Sequence, residues 1–252
     1  MTVPRADAAE SAAFAATRAA VLDRIADACA RVGRAPDEVT LVAVSKTVAA
    51  VRLASAIAGG LVLLGENRVQ EAAEKAPLLP GARWHLVGPL QSNKARRAAE
   101  LFEMVQSLDS VALAHRLDRL VREVRGLPMT GDVPDASRLR VLLQVNVDRD
   151  PAKAGILPDD LEAVAAGSAA CGALRIDGLM TIGRLAPTEG EARATFAGLR
   201  ELAERLRGAV PGIGPALSMG MSDDYALAVE EGATIVRVGR ALFGERPPAR
   251  RD

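Results

Sequence analysis

The sequence is poor in aromatic residues and cysteine, and it carries no net charge. Only 2% of its 252 residues are aromatic whereas 49% are hydrophobic, so we expect an aliphatic, finely packed core. The 32 basic and 32 acidic residues leave no electrostatic footprint for nucleic acid or an anionic membrane. Cys29 and Cys171 lie far apart and match no metal or redox spacing, so they are expected to be free, buried thiols. These scarcities argue against a nucleic-acid partner and against a metal site.

No segment has the composition of an export signal or a membrane span. Residues 1–4 lead into a polar, alanine-rich stretch without an apolar signal core, and no run of about 18 apolar residues follows. We therefore expect a cytoplasmic protein without a membrane partner. Because no long apolar surface patch is evident, a monomer is expected as well.

Strand-like segments recur along the chain and alternate with stretches of helical spacing. This alternation is typical of βαβ units and a parallel sheet. Eight strands in a chain of this length favour a (β/α)8 TIM barrel over an open doubly wound sheet. We predict one barrel domain over residues 1–252, with residues 1–38 as an N-terminal helical extension. The predicted strands are residues 40–45, 61–65, 83–87, 104–107, 139–146, 174–181, 216–218 and 234–238.

Lys46 stands out among only four lysines because it follows the first predicted strand directly. The C-terminal ends of barrel strands form the active face, so Lys46 is expected to point into the barrel mouth. There a partly desolvated amine can attack an aldehyde, which arginine cannot do. A lysine reaching out to water is an equally good interpretation of this strand alone. Lys75, Lys94 and Lys153 lie in polar helical or loop segments and are interpreted as solvated charges.

Two segments near the end of the chain run from a strand through glycine into a helical turn. They are residues 217–224, in which Ser222 is expected to be the helix N-cap, and residues 237–244. Free backbone N–H groups at such turns bind phosphate, and barrels often build phosphate sites after strands seven and eight. Either segment alone is better explained as an ordinary glycine turn. The pair predicts a phosphate site.

Arg237 helps to choose between two ligands. A strand-end amine and a phosphate site suit either a sugar phosphate bound as an imine, as in an aldolase, or pyridoxal 5′-phosphate (PLP). Arg237 is the one charged residue of the last strand, and a pyridine nitrogen could accept its hydrogen bond. An ion pair with a carboxylate such as Glu66 is the alternative. Since an aldolase has no use for an inward arginine, Arg237 favours PLP.

Several sequence blocks resemble the pyridoxal phosphate homeostasis protein family, the single-domain relatives of the alanine racemase barrel domain. The resemblance covers most of the chain from about residue 40 onward, and its blocks occur in order. It implies the PLP fold type III barrel. The blocks are LVAVSKT at 41–47, GENRVQE at 65–71, WHLVGPLQSNK at 84–94, GLMTIG at 178–183 and the region 217–244.

This resemblance also implies roles for individual residues. Lys46 is the Schiff-base lysine, Arg237 faces the pyridine nitrogen and Asn67 lies near the ring. The phosphate is held by residues of the two late segments, where family members often have threonine or serine at the position of Arg240, so only its backbone amide is assured. His85 is expected to be a hydrogen-bonded core residue rather than an acid or base. The phosphate-site residues are Ser218, Met219, Ser222, Gly239 and Arg240.

The expected function is binding of PLP without turnover. An arginine opposite the ring nitrogen keeps that nitrogen unprotonated and weakens the cofactor as an electron sink. Related racemases take a second base, a tyrosine, from an additional β domain, whereas the only tyrosine here, Tyr225, follows the phosphate segment. We expect a carrier in intracellular PLP (vitamin B6) and amino-acid homeostasis that supplies PLP-dependent apoenzymes. A PLP-dependent amino-acid racemase or lyase is the alternative.

Overall fold

Eight parallel strands close into a barrel in sequence order, with β8 pairing back to β1. The structure is a computed structural model that describes residues 3–131, 133–184 and 187–244. All eight predicted strands are present, which confirms the (β/α)8 barrel. The strands are β1 (Thr40–Val44), β2 (Leu63–Glu66), β3 (Arg83–Leu86), β4 (Met104–Leu108), β5 (Leu139–Gln144), β6 (Leu174–Met180), β7 (Ala216–Ser218) and β8 (Ile235–Val238).

Helices alternate with the strands and cover the outside of the barrel. Their ends carry local signals: the Ser110 hydroxyl caps α5, and Thr188 with Glu191 forms a capping box on α7. Gly126 ends α5 in the left-handed conformation, with φ 63°. The helices are α1 (Ala8–Arg31), α2 (Ala50–Ala58), α3 (Val69–Lys75), α4 (Ala95–Leu101), α5 (Val111–Arg125), α6 (Leu161–Ala169), α7 (Glu189–Ala209), α8 (Tyr225–Glu230) and α9 (Arg240–Phe243).

The strands bury apolar side chains on both of their faces. An outer layer lies between the strands and the helices, and it includes both cysteines, which are free and buried as predicted. A separate inner cluster fills the barrel. Burial on both faces explains why the strands are apolar runs rather than alternating ones. The inner cluster consists of Val42, Val87, Met104, Leu142, Met180 and Ile235.

Helix α1 packs against α2, α8 and α9, on the side where the barrel closes between β8 and β1. Phe14 of α1 makes an edge contact with Phe243 of α9 at 5.6 Å between ring centroids. This is the predicted N-terminal extension, although residues 1, 2 and 245–252 lie outside the described part, and the domain boundaries remain a prediction. Among the described residues, no helix is both long enough and apolar enough to cross a membrane.

Charged side chains form an ion network at the N-terminal end of β3 to β6. Arg83 pairs with Glu103 at 2.5 Å, and Arg140 pairs with Asp177 at 2.5 Å and reaches Glu103 at 3.6 Å. Arg175 pairs with Asp177 at 2.7 Å. In barrels of this type the N-terminal face serves stability and the C-terminal face carries the chemistry. The site is therefore built at the other end.

Candidate functional site

Lys46 lies in a tight turn directly after β1. Val42 belongs to the inner cluster and Val44 packs against it, so the alternation of strand side chains places Lys46 on the same, inward side. The residue is half-buried. The turn is closed by a hydrogen bond from the Val48 N–H to the Ser45 carbonyl at 3.0 Å. Lys46 therefore sits at the C-terminal mouth of the barrel, where the sequence placed it.

Arg237 of β8 is buried in the barrel, with 4% of its surface exposed. Its Nη1 donates to Ser218 Oγ at 2.6 Å and its Nη2 donates to the Thr181 carbonyl at 2.8 Å. The alternative partner, Glu66, pairs with Lys75 instead. Burial lowers the pKa of Arg237 to about 10, so the guanidinium remains charged at neutral pH. Arg237 is thus a buried cation bonded to two neutral oxygens.

A chain of hydrogen bonds crosses the barrel from Arg237 to His85. The Ser218 hydroxyl accepts from Arg237 and donates to Gln106 Oε1 at 2.7 Å, and Gln106 Nε2 lies 2.9 Å from His85 Nδ1. Since the amide nitrogen can only donate, His85 is held as the tautomer with its proton on Nε2. Burial lowers the pKa of His85 to about 4. The prediction of a hydrogen-bonded core histidine is confirmed.

Ser222 connects the two predicted phosphate segments. Its hydroxyl oxygen accepts from the N–H groups of Gly239 at 3.2 Å and Ala241 at 3.3 Å. The expectation that Ser222 caps the helix after β7 was wrong, because the chain makes another turn and α8 begins after Asp224. The serine thus lies against the start of α9, beside the amides expected to hold phosphate.

Two other predicted phosphate residues have partners of their own. Met219 is fully buried in the outer layer, and its N–H donates to the Ile235 carbonyl at 3.1 Å. The Arg240 side chain is exposed and forms an ion pair with Asp223. The guanidinium of Arg240 is therefore engaged by a carboxylate of the neighbouring segment.

Two glycines allow close backbone packing against β1, the strand that leads to Lys46. A Cβ atom on Gly65 would lie 2.8 Å from Val42 Cγ1, and one on Gly239 would lie 3.3 Å from the Val44 carbonyl oxygen. Real Cβ contacts are almost never as short as the first of these. A larger residue at either position would push against β1, so the glycines allow β2 and the segment after β8 to pack closely on the strand that leads to Lys46.

Asn67 follows β2 directly and is half-buried. Gly88 of the next loop packs on its backbone, since a Cβ there would lie 2.4 Å from the Asn67 carbonyl oxygen. A cavity of about 640 Å³ opens beside it, between the β2–α3 and β3–α4 loops, and its walls include Pro89, Gln91 and Lys94. The residues predicted to contact a cofactor thus come from β1, β2, β7 and β8, all at one end of the barrel.

Sequence reasoning missed the roles of two polar residues of this region. Gln106 joins Ser218 to His85, and a polar residue inside an apolar strand was the available signal. Lys75 was interpreted as a solvated charge, which was wrong: only 12% of its side chain is exposed, and it pairs with the fully buried Glu66 at 2.7 Å. The helical spacing of α3 could not show that its polar side faces the ends of β1 and β2.

Comparison with known proteins identifies the family. The family model for the alanine racemase N-terminal domain matches residues 19–247. A pyridoxal phosphate homeostasis protein of Pseudomonas aeruginosa is 43% identical over 90% of this chain and 94% of its own, and one from Escherichia coli is 39% identical over the same shares.

Solved structures give the same result. A protein from Bifidobacterium adolescentis is 32% identical, with a TM-score of 0.84 over 96% of this chain and 100% of its own. PipY of Synechococcus elongatus, solved with PLP bound, is 42% identical, with a TM-score of 0.74 over 87% of this chain and 100% of its own. Alanine racemase of Corynebacterium glutamicum shares the fold at 19% identity, with a TM-score of 0.65 over 92% of this chain and 64% of its own. The chain therefore belongs to the pyridoxal phosphate homeostasis protein family, built on the alanine racemase N-terminal fold.

Proposed function

We propose that this protein binds PLP covalently through Lys46 and acts as a carrier of the cofactor in a single barrel domain. In this proposal Arg237 faces the ring nitrogen and Asn67 lies beside the ring. The phosphate contacts Ser222 and the backbone at Gly239 and Arg240, with Ser218 at the end of β7 and the following Met219 supporting it. The bound PLP of PipY and the names of the relatives support this assignment.

One observation carries the proposal: the buried guanidinium of Arg237 bonds to neutral oxygens. Asp224 contributes only a through-space attraction. A buried cation without a directly bonded carboxylate is costly, and an electron-rich ring nitrogen at the barrel mouth would offset that cost. The glycines at 65 and 239 allow close packing on β1, which fixes the strand end that carries Lys46.

When bound, PLP would supply an aldehyde within reach of the Lys46 amine and a ring that withdraws electrons. Arg237 would donate a hydrogen bond to the ring nitrogen without protonating it, which would limit that withdrawal. The Ser222 hydroxyl and the backbone at Gly239 and Arg240 would orient the phosphate. These residues bind and hold the cofactor.

Two residues that could serve as a second base are placed elsewhere. Tyr225 is buried in the outer layer with Arg24 over its ring at 5.3 Å, and burial raises its pKa. His85 is buried and is connected to Arg237 through Gln106 and Ser218, and its imidazole is neutral at physiological pH. Neither side chain is positioned to exchange a proton with an amino acid bound at the mouth. This arrangement supports binding without turnover.

The experiment that tests the carrier function compares cofactor transfer with proton exchange. The PLP-loaded protein is expected to activate an apoenzyme that requires PLP. In D₂O it is expected to leave the α-hydrogen of single amino acids in place. Robust α-deuteration at catalytic rates would instead establish the racemase or lyase alternative. We further propose that the protein acts in the cytoplasm as a monomer, and its two free cysteines are compatible with that reducing compartment.

A further inference from the structure

The turn that carries Lys46 has a strained backbone. Thr47 adopts φ 68°, in the left-handed region that β-branched residues rarely enter. Its own hydroxyl donates to the Lys46 carbonyl at 2.5 Å. Such a conformation persists only where surrounding contacts hold it, and it is concentrated at functional sites. The contacts around this turn therefore identify what holds Lys46 in place.

Lys75 of α3 binds the first residue of the turn. Its Nζ donates to the Ser45 carbonyl at 3.0 Å and to Glu66 Oε1 at 2.7 Å. The Ser45 carbonyl also accepts the Val48 N–H that closes the turn. The ammonium of Lys75 thus joins the end of β2 to the backbone immediately before Lys46.

Two carboxylates complete this arrangement. Glu66 Oε1 accepts from the Ser45 hydroxyl at 2.7 Å, and Glu71 Oε2 accepts from the Thr47 N–H at 3.2 Å. Glu71 also lies 3.7 Å from Lys75. The residues on both sides of Lys46 are therefore anchored to β2 and α3.

Burying the Glu66 carboxylate costs free energy, so a gain in stability alone does not explain its ion pair with Lys75. Glu66 is 0% exposed, and in the described part of the chain its Oε2 has no hydrogen-bond partner. Burial raises the pKa of Glu66 against the lowering effect of Lys75. An apolar pair of similar size often stabilises a protein at least as well as a buried ion pair. A role in fixing the conformation of the turn explains why charged groups are buried between β2, α3 and the turn.

We infer that Lys75, together with Glu66 and Glu71, positions Lys46 by holding its strained turn in the conformation that presents the amine to the barrel mouth. These three residues do not contact the cofactor and act through the backbone at Ser45 and Thr47. The inference rests on the proposed function of Lys46 as the residue that captures PLP.

Lys75→Met tests the inference in two ways on the full chain. Without PLP, hydrogen exchange at the Val48 amide should become on the order of tenfold faster, because the turn opens more often. With excess PLP, the rate of Lys46 modification, followed by absorbance and by mass spectrometry after borohydride reduction, should fall on the order of tenfold. Arg97→Met, which removes a half-exposed cation paired with Glu100 on α4, should change neither quantity.

Glu71 provides a second pair of variants should Lys75→Met fail to fold. Glu71→Gln keeps an oxygen acceptor for the Thr47 N–H and should resemble the wild type, whereas Glu71→Met should speed exchange and slow modification. Wild-type exchange at Val48 in both methionine variants would overturn the inference. A wild-type protein that takes up no PLP would overturn the proposed function instead, and the exchange data would still show whether Lys75 and Glu71 hold the turn.

Discussion

Arg237 Nη1 lies 2.6 Å from Ser218 Oγ. The Ser218 hydroxyl, at the end of β7, therefore accepts a hydrogen bond from the guanidinium and donates one to Gln106 Oε1. The Ser218 hydroxyl proton is thereby used in a hydrogen bond to Gln106 inside the barrel. This contact links the predicted phosphate segment to the predicted ring-nitrogen partner. A substitution of Arg237 can therefore test separately how this residue affects the stability of the protein and its binding of PLP.

Arg237→Met is expected to leave the stability of the PLP-free protein nearly unchanged while weakening PLP binding. The lowering of the pKa of Arg237 from its ordinary value to about 10 corresponds to a burial cost of about 3 kcal/mol. Leaving the Thr181 carbonyl unpaired costs about 1–3 kcal/mol, so the two effects nearly cancel. Urea unfolding and equilibrium dialysis with PLP measure the two quantities. Arg205→Met, an exposed change on α7, is the control, and a loss of more than about 4 kcal/mol without PLP would contradict this account.

His85 should make the protein less stable in acid. Its pKa is about 4 in the folded state, below the ordinary value of 6.5, so the unfolded chain binds more protons between these two pH values. The free energy of unfolding should therefore decrease as the pH falls from 6.5 to 4, by up to about 3 kcal/mol from this residue. The difference in the free energy of unfolding between wild type and His85→Gln, measured at each pH, separates the effect of His85 from the titration of the carboxylates. A difference that does not vary over this range would refute the prediction.

Ser222→Ala should weaken PLP binding more than it weakens the fold. The serine is the one hydroxyl bonded to the amides of both Gly239 and Ala241 in the described structure. In the proposed complex the same hydroxyl contacts the phosphate. Losing that hydrogen bond should cost about 1 kcal/mol of binding free energy, or roughly fivefold in Kd. Thr188→Ala, which removes the α7 cap but none of the hydrogen bonds to Gly239 or Ala241, should cost about 1 kcal/mol of stability and leave Kd unchanged. Equal Kd values for both variants would argue against a phosphate at Ser222.

Gly178→Ala should destabilise the barrel severely. A Cβ at this position would lie 1.9 Å from the Ala216 carbonyl oxygen on the neighbouring strand, and φ is 149°. A loss of about 4 kcal/mol or more in urea unfolding is expected, since the backbone must move. Gly208→Ala in α7 is the matched control: nothing lies within 4 Å of its Cβ, and a gain of up to about 1 kcal/mol is expected. A folded Gly178→Ala protein of normal stability would show that β6 and β7 are less closely paired.

The barrel could be predicted from the sequence because each strand is a short apolar run between helical stretches, including β7 (Ala216–Ser218) with three residues. The positions of Lys46 and Arg237 followed from that topology. The role of Ser222 did not, because the spacing to α8 resembles a cap while the hydroxyl faces a loop seventeen residues further along. Lys75 was missed for the same reason: it binds Ser45, thirty residues earlier, across two elements.

The attachment of PLP to Lys46 is tested most directly by mass spectrometry of the protein after incubation with PLP and reduction with borohydride. The account predicts a single reduced adduct on the peptide that contains Lys46, together with a visible imine absorbance before reduction. Lys46→Arg keeps the positive charge and should show neither signal. An adduct on Lys75, Lys94 or Lys153 in the wild type, or an undiminished yield in Lys46→Arg, would contradict the central claim.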